Sequence, residues 1–436
     1  MKHRAPATFK PTDLHWQPRA PGDWELKPLC RVVSVNDDVL PAKFPFDTEI
    51  SYVDISSVSY GKGIVSAESM LFANAPSRAR RLAHQGDVII STVRTYLKSI
   101  AEVDKKHSTC VFSTGFAVLR VRPGKLKDGF LKWMTSNELL IQAIEAHSTG
   151  VSYPAISAHD LAKLKVAVPP LDEQRRIAAL LERETARIDA LIKQKTHFIE
   201  LLKEKRQALI TQAITKGLES NVPMKDSGVE WLGEVPAHWI PIKFRHVARV
   251  TEGLVDPKAE KYRTLPLIAP NHIESNTGRL LGLETAEEQN AESGKYTCKP
   301  GDIIYSKIRP ALAKVTIAPC ACLCSADMYP LQAAKRISSA WLYYLLLSGP
   351  FTAWATLESM RVAMPKINRE ALGELRICLP PLVEQERAAE WIDDALPKID
   401  AVIANTEMSI GLLNERRSAL ITAAVTGQID LRENAA

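Results

Sequence analysis

The segment LLKEKRQALITQAITKGL at 201–218 returns at 412–429 as LLNERRSALITAAVTGQI, with ten of its eighteen positions identical. Self-similarity on this scale constrains the fold more than any local propensity, because the same packing problem must be solved twice. The repeat runs well beyond that segment. Trp16 and Trp24 match Trp231 and Trp239, and QGDVIISTVR (85–94) matches PGDIIYSKIR (300–309), both at an offset of 215. YPAISAHDLAKLKVAVPPLDEQ (153–174) matches MPKINREALGELRICLPPLVEQ (364–385) at 211, so the second copy lacks four residues near 104–110 of the first. The chain is a tandem duplication with copies at about 10–218 and 225–429.

A length of 436 residues fits two or three domains, each able to bury its own core. The composition, 46% hydrophobic and 24% charged, is that of a soluble globular protein. No apolar run approaches the roughly 18 residues of a membrane span, and the N-terminus lacks the apolar stretch of a secretory signal. Seven scattered cysteines do not make a disulfide framework. The expected compartment is a reducing cytoplasm.

Each copy has two parts. Short β-type runs (DVIIST, FAVLRV; DIIYSKI, KVTIA) alternate with turn residues and are followed by a helical pattern, which reads as a compact α+β domain. After Pro-Pro at 169–170 and 380–381 comes LDEQ or LVEQ, a helix-start signal in which acids complement the N-terminal dipole. From Asp172 to Lys216 there is neither Pro nor Gly, and a helix of that length spans roughly 65 Å. Ile177, Leu191 and Phe198 form one heptad track and Leu181, Ile188, Leu202 and Leu209 another, interrupted by Glu184, Lys195 and Lys205. The second copy keeps Ile392, Ile399, Leu413 and Leu420 but places Pro397 inside the pattern, where proline should kink or divide the helix. Such stripes pack either on their own domain or on the twin helix as an antiparallel coiled coil. The second reading is preferred because the helix outruns any one small domain. The expected segments are 1–170, a globular domain; 171–217, a long helix; 218–380, a second domain; and 381–436, a second long helix. Net charges over these segments are +6, +3, +2 and −5. That gives modest support for a polyanionic partner.

The duplicated domain-plus-helix layout, DSGVEWLGEVPAHW (226–239), the repeated GD-hydrophobic-hydrophobic-x-S-x-x-R segment and PPLxEQ at each helix start resemble one family. It is the specificity (S) subunits of Type I restriction–modification enzymes. The resemblance covers nearly the whole chain. It implies two α+β target recognition domains separated by two long antiparallel helices with pseudo-two-fold symmetry. Each domain would read one half of a split, asymmetric DNA sequence, and the helices would dock two methyltransferase (M) subunits, joined by two restriction (R) subunits. Those partners would use S-adenosylmethionine, ATP and Mg²⁺, while this chain would bind no cofactor. Half-sites on one face of B-DNA lie about one turn, roughly 34–36 Å, apart or more. A helix of that length can set such a distance. Pro397 and residues 1–10 depart from the pattern.

Candidate DNA contacts follow from chemistry. Arginine grips guanine or phosphate with two bonds and hydroxyls bond either. In the first domain these are Ser91, Thr92, Arg94, Thr95, Tyr96 and Lys98; in the second, Ser306, Lys307, Arg309 and Lys314. Arg94 and Arg309 equally suit structural salt bridges. Residues shared by both copies suit architecture or phosphate contact, and those that differ suit sequence reading. Ser56, Ser57 and Lys62 thus face Asn271, His272 and Thr277, where asparagine is either an adenine partner or a turn residue. STGVSYP (148–154) and SMRVAMP (359–365) add Tyr153 and Arg361. Arg78, Arg80 and Arg81 read as solvated surface more readily than as a phosphate clamp.

Cys320, Cys322 and Cys324, with Cys298, invite a zinc reading. Their alternation on one strand face favours a buried apolar strand over a C-x₂₋₄-C metal site. No P-loop is present. Val168 and Leu379 precede the Pro-Pro pairs, so the Asn/Asp-Pro-Pro-aromatic of DNA amino-methyltransferases is absent. Asp87 and Asp302 read as turn residues before strands. The expectation is a non-catalytic DNA-binding subunit. The alternatives are a self-contained nuclease or methyltransferase with unfamiliar motifs, and a protein-only scaffold.

Overall fold

The structure, a computed structural model, describes residues 8–150, 152–360 and 365–429; Arg361 lies outside them. Two compact units result: residues up to Lys195 joined by those from Met408 onward, and Thr196–Glu407. Each unit therefore combines a globular part with stretches of both long helices. Among the described residues no helix is long and apolar enough to cross a membrane.

In the first unit, Ile100–Glu102, Val88–Ser91, Phe116–Val121 and Val33–Val35 form an antiparallel sheet in that order. Alternation explains why VIIS is buried throughout. Val88 and Ile90 enter a core with the helices, whereas Ile89 enters a smaller core with Val53, Phe112 and Phe116. A second four-stranded sheet, built on Glu49–Val53 and Val111–Ser113, covers that smaller core. The second unit repeats the device. Ile303 and Tyr305 face the helical core and Ile304 the smaller one, with Ile303–Ser306 beside Met328–Ala333.

The long helices are Leu171–Thr215 and Leu382–Val425. In the first unit Ile177, Leu180 and Leu181 share a core with Ile421, Ala424 and Val425. An ion pair, Arg417 Nε to Asp189 Oδ1 at 3.0 Å, lies farther along both segments. The helices therefore run antiparallel there. In the second unit Ile210, Ala213 and Ile214 meet Ala388, Ala389 and Ile392, with Arg206 Nε 3.0 Å from Asp400 Oδ1. Both ion pairs join an arginine of the repeated helical segment to an aspartate of the other helix, and they are equivalent under the duplication.

Two helix expectations need correction. Leu191 and Phe198 are 43% and 45% exposed, so they do not lie in the seam. Thr185, Ile192, Ile199, Arg206 and Ala213 take their place, one residue later. The expected track followed apolar residue types, whereas this one includes Thr185 and Arg206, buried with internal partners: the Thr185 hydroxyl donates to Leu181 O at 2.6 Å and Arg206 pairs with Asp400. Nor does Pro397 divide its helix. Its ring is on the exposed face while Leu396 and Ile399 are buried, so packing on the inner side holds the backbone and water reaches the carbonyl freed by proline.

PPLxEQ has a concrete structural task. The Trp24 indole donates to Glu173 Oε2 at 3.2 Å, and Trp239 donates to Glu384 Oε2 at 3.0 Å. Gln174, fully buried, donates to Pro169 O at 2.8 Å and accepts from the Lys127 amide at 2.8 Å. Gln385 likewise donates to Pro380 O and accepts from Ser338 N. Each motif thus stitches a helix start to its globular part. Replacing Gln174 by Ala strands a buried N–H and C=O and should cost about 1–3 kcal/mol. The midpoint of urea unfolding, compared with exposed Gln142→Ala, reads this; equal midpoints would contradict the role.

Candidate nucleic-acid interface

Both units carry the same loop. After the Val88–Ser91 strand, the Ser91 hydroxyl donates to Val93 O, and Arg94 turns into left-handed backbone at φ 52°. A one-turn 3-10 helix, Thr95–Leu97, follows, and Lys98 is again left-handed at φ 50°. The loop is zipped to residues 154–156: the Arg94 amide donates to Pro154 O at 2.7 Å and the Ile156 amide to Thr92 O at 2.9 Å. In the second unit Ser306 donates to Ile308 O, and Arg309 and Ala313 take φ 47° and 43°. The Arg309 amide reaches Pro365 O and the Ile367 amide Lys307 O. Left-handed backbone at a residue with a side chain costs on the order of 1–3 kcal/mol and persists only where surroundings over-determine it. The same left-handed positions recur in both units, held by the same backbone hydrogen bonds.

The two sequence-selected stretches of the first domain, 91–98 and 148–154, are thus one surface. Tyr96 and Tyr153 stand out at 52% and 64% exposure. The Arg94 guanidinium lies over the Tyr153 ring, 4.7 Å from its centroid. Among the described residues neither Arg94 nor Arg309 enters an ion pair, so both are available to an anion. Ser56 and Lys62 are exposed and Ser57 half-buried on the neighbouring turns.

Other candidates are occupied. Thr95 is buried and bonded to Ser148 Oγ at 3.0 Å, and the Thr92 hydroxyl donates to Gly115 O at 2.9 Å. Lys98 is ion-paired with Glu138, a partner the sequence did not suggest. In the second unit Lys314 donates to Pro270 O at 2.6 Å. His272 Nδ1 accepts from the Ala269 amide at 3.1 Å, closing a turn, and Thr277 donates to Glu274. Asn271 is exposed on that turn, and Lys307 lies over the Tyr329 ring at 5.2 Å. Burial, with Lys366 and Arg369 nearby, holds the Lys307 amine below the usual lysine range.

The arginine cluster divides: Arg78 pairs with Asp54 at 2.9 Å, Arg80 stacks on Phe72, and Arg81 is half-buried. Cys298, Cys322 and Cys324 are buried among Ile268, Ile304 and Met328, with Cys298 directly opposite Cys322 across two strands. A hydrogen bond to Cys298 and burial push the Cys322 thiol well above its usual range. Asp87 and Asp302 each accept an amide three residues earlier, from His84 and Lys299, and Asp87 also takes the Arg120 guanidinium.

A family model, the Type I restriction modification DNA specificity domain, matches residues 21–201 and 237–405. The chain is similar to the Type I restriction enzyme EcoDI specificity subunit of Escherichia coli, 31% identical over 71% of this chain and 72% of that one. It is also similar to the MjaVIII specificity subunit of Methanocaldococcus jannaschii, 25% identical over 71% and 69%. A solved structure described under the assembly and conformational transition of the type I R-M system shares the fold, with a TM-score of 0.72. That match is 24% identical and covers 94% of this chain and 99% of the other.

The strained loop separates stability from binding. Glycine enters left-handed backbone without a Cβ penalty, so Arg94→Gly should preserve or raise the melting temperature while weakening duplex DNA binding. Thermal melts and titration with duplex DNA read the two effects; a parallel loss of both would show that Arg94 is structural.

Proposed function

The chain belongs to the Type I restriction modification DNA specificity domain family, and from that membership we propose that it gives a restriction–modification complex its sequence specificity. Each unit reads one half of a bipartite, asymmetric site. The carrying observation is the loop built alike in both units, with Arg94 and Arg309 in common and different side chains beside them. The shared arginines take phosphate and set register, and the differing neighbours read bases.

The long helices seat two methyltransferase subunits, which restriction subunits then join. Apolar side chains left exposed at equivalent helix positions, Leu191 with Val402 and Leu201 with Leu412, support two matching seats. The chain itself holds no catalytic centre and no cofactor; methyl transfer from S-adenosylmethionine and the ATP- and Mg²⁺-dependent steps belong to the partners. It acts on duplex DNA in a reducing cytoplasm. The helical length between the units sets the spacer of the site.

The test is co-expression with a methyltransferase subunit followed by genome-wide mapping of methylated positions. Replacing residues 40–160 by those of a relative should change one half-site and leave the other intact. Matched heptad insertions in both helices, beginning after Leu202, should change only the spacer. Changed specificity in both halves, or methylation by the chain alone, would overturn the reading.

A further inference from the structure

Superposing the two copies of the loop residue by residue separates what they share from what they do not. Ser91 and Ser306, and Arg94 and Arg309, are common. Around them the second unit places Lys307, Lys366 and Arg369 where the first has Thr92, Ala155 and Ala158. The strand registers fix two further equivalences. Gly115 O and Asp327 O accept the amides of Thr92 and Lys307, and Ala117 lies opposite Ile90 as Tyr329 lies opposite Tyr305. The second unit has thus exchanged small side chains for cations and an aromatic ring at one edge of a conserved loop.

These replacements form a built platform. Arg369 lies 5.7 Å from the ring centroids of both Tyr296 and Tyr329, and its Nη2 donates to Tyr296 Oη at 3.0 Å. Tyr329 Oη donates to Ile367 O at 3.0 Å, which pins the ring to the segment carrying Lys366. The Lys307 amine sits over the same Tyr329 ring. Lys366 is exposed, and its backbone bridges to Ile308, next to Lys307. Two carboxylates face the group: Glu252 engages Arg369 at 3.5 Å, and Asp327 lies near Lys307. Among the described residues Lys307 and Lys366 have no ion-pair partner. Two neighbouring ammonium groups, one half-buried and neither in an ion pair among the described residues, suit an anion or a pair of adjacent acceptors.

We propose that Lys307 and Lys366 are a specificity-determining pair that takes the N7 and O6 acceptors of a guanine in the second half-site, with Arg369 and Tyr329 as their positioning residues. The inference rests on the reading of each unit as a half-site reader. Guanine is preferred to phosphate on two grounds. It is the base that offers two adjacent acceptors in the major groove. The pair is also absent from the other unit, whereas phosphate contacts should recur in both. The first unit, with a bonded hydroxyl and two methyl groups at these positions, reads no guanine from them.

The experiment reconstitutes the full chain with its methyltransferase subunits and selects bound duplexes from a randomised library. It compares the unaltered complex with Lys307→Thr and Lys366→Ala, each the residue that the same loop holds in the other unit. Melting temperatures confirm folding. The expected result is a loss of guanine preference of roughly ten- to a hundredfold at one position of one half-site, with the other half-site and the salt dependence unchanged. Arg309→Ala serves as the phosphate comparator and should weaken all sequences alike, lowering the salt slope by about one. If Lys307→Thr and Lys366→Ala behave as Arg309→Ala does, or leave base preference untouched, the assignment is wrong. If the unaltered complex selects no bipartite site, the underlying functional reading fails instead.

Discussion

The structure depends on burying the ends of two helices that cannot bury themselves. A 45-residue helix with a narrow apolar stripe gains little from propensity and must borrow its stability from tertiary contacts. Here its first turns complete one globular core through Ile177 and Leu181, and its last turns complete another through Ile210 and Ile214. The C-terminal helix supplies the complementary pieces, Val425 to the first core and Ile392 to the second. Neither unit has a closed core without segments of both helices. The buried glutamines and the Trp–Glu bonds fix where each helix leaves its globular part.

The candidate loops lie at the ends of the sheets, with Arg94 and Arg309 outside the helical cores. The sheets are sandwiched between two cores and hold their strand ends rigidly enough to carry left-handed backbone at Arg94, Lys98, Arg309 and Ala313. Hydrogen bonds to the neighbouring stretch at 154–156, or 365–367, share the cost. One scaffold can then present different side chains without being rebuilt, which is what two unlike half-sites require. The first unit offers Tyr96, Tyr153 and Arg94; the second offers cations on a tyrosine platform.

Much of this was legible in the residues. The duplication implied two like units, Pro-Pro followed by acids marked both helix starts, and short β-type runs such as DVIIST and DIIYSKI marked strands. The site was partly legible. The two stretches nominated in the first domain do meet, and Arg94 and Tyr153 do touch. Lys98, Thr95, Lys314 and His272 were nominated by chemistry but are taken up by internal partners. Lys366 and Arg369 were passed over. Their signal was present as Ala155 and Ala158 in the other copy, but its meaning depends on a ring, Tyr329, from a distant strand.

What the sequence alone determined is whatever depends on order along the chain: the repeat, the helix limits, the family and the matched positions at which the copies differ. Tertiary structure decided whatever depends on exact rotation and on distant partners. The seam runs through Ile192 and Ile199 and not through Leu191 and Phe198, because the same track buries Thr185 and Arg206 against internal partners that residue type does not announce. Packing on the buried side kept the helix whole through Pro397. Only three-dimensional neighbours could show which cations are ion-paired among the described residues and which are not, because charges interact through space and not along the chain.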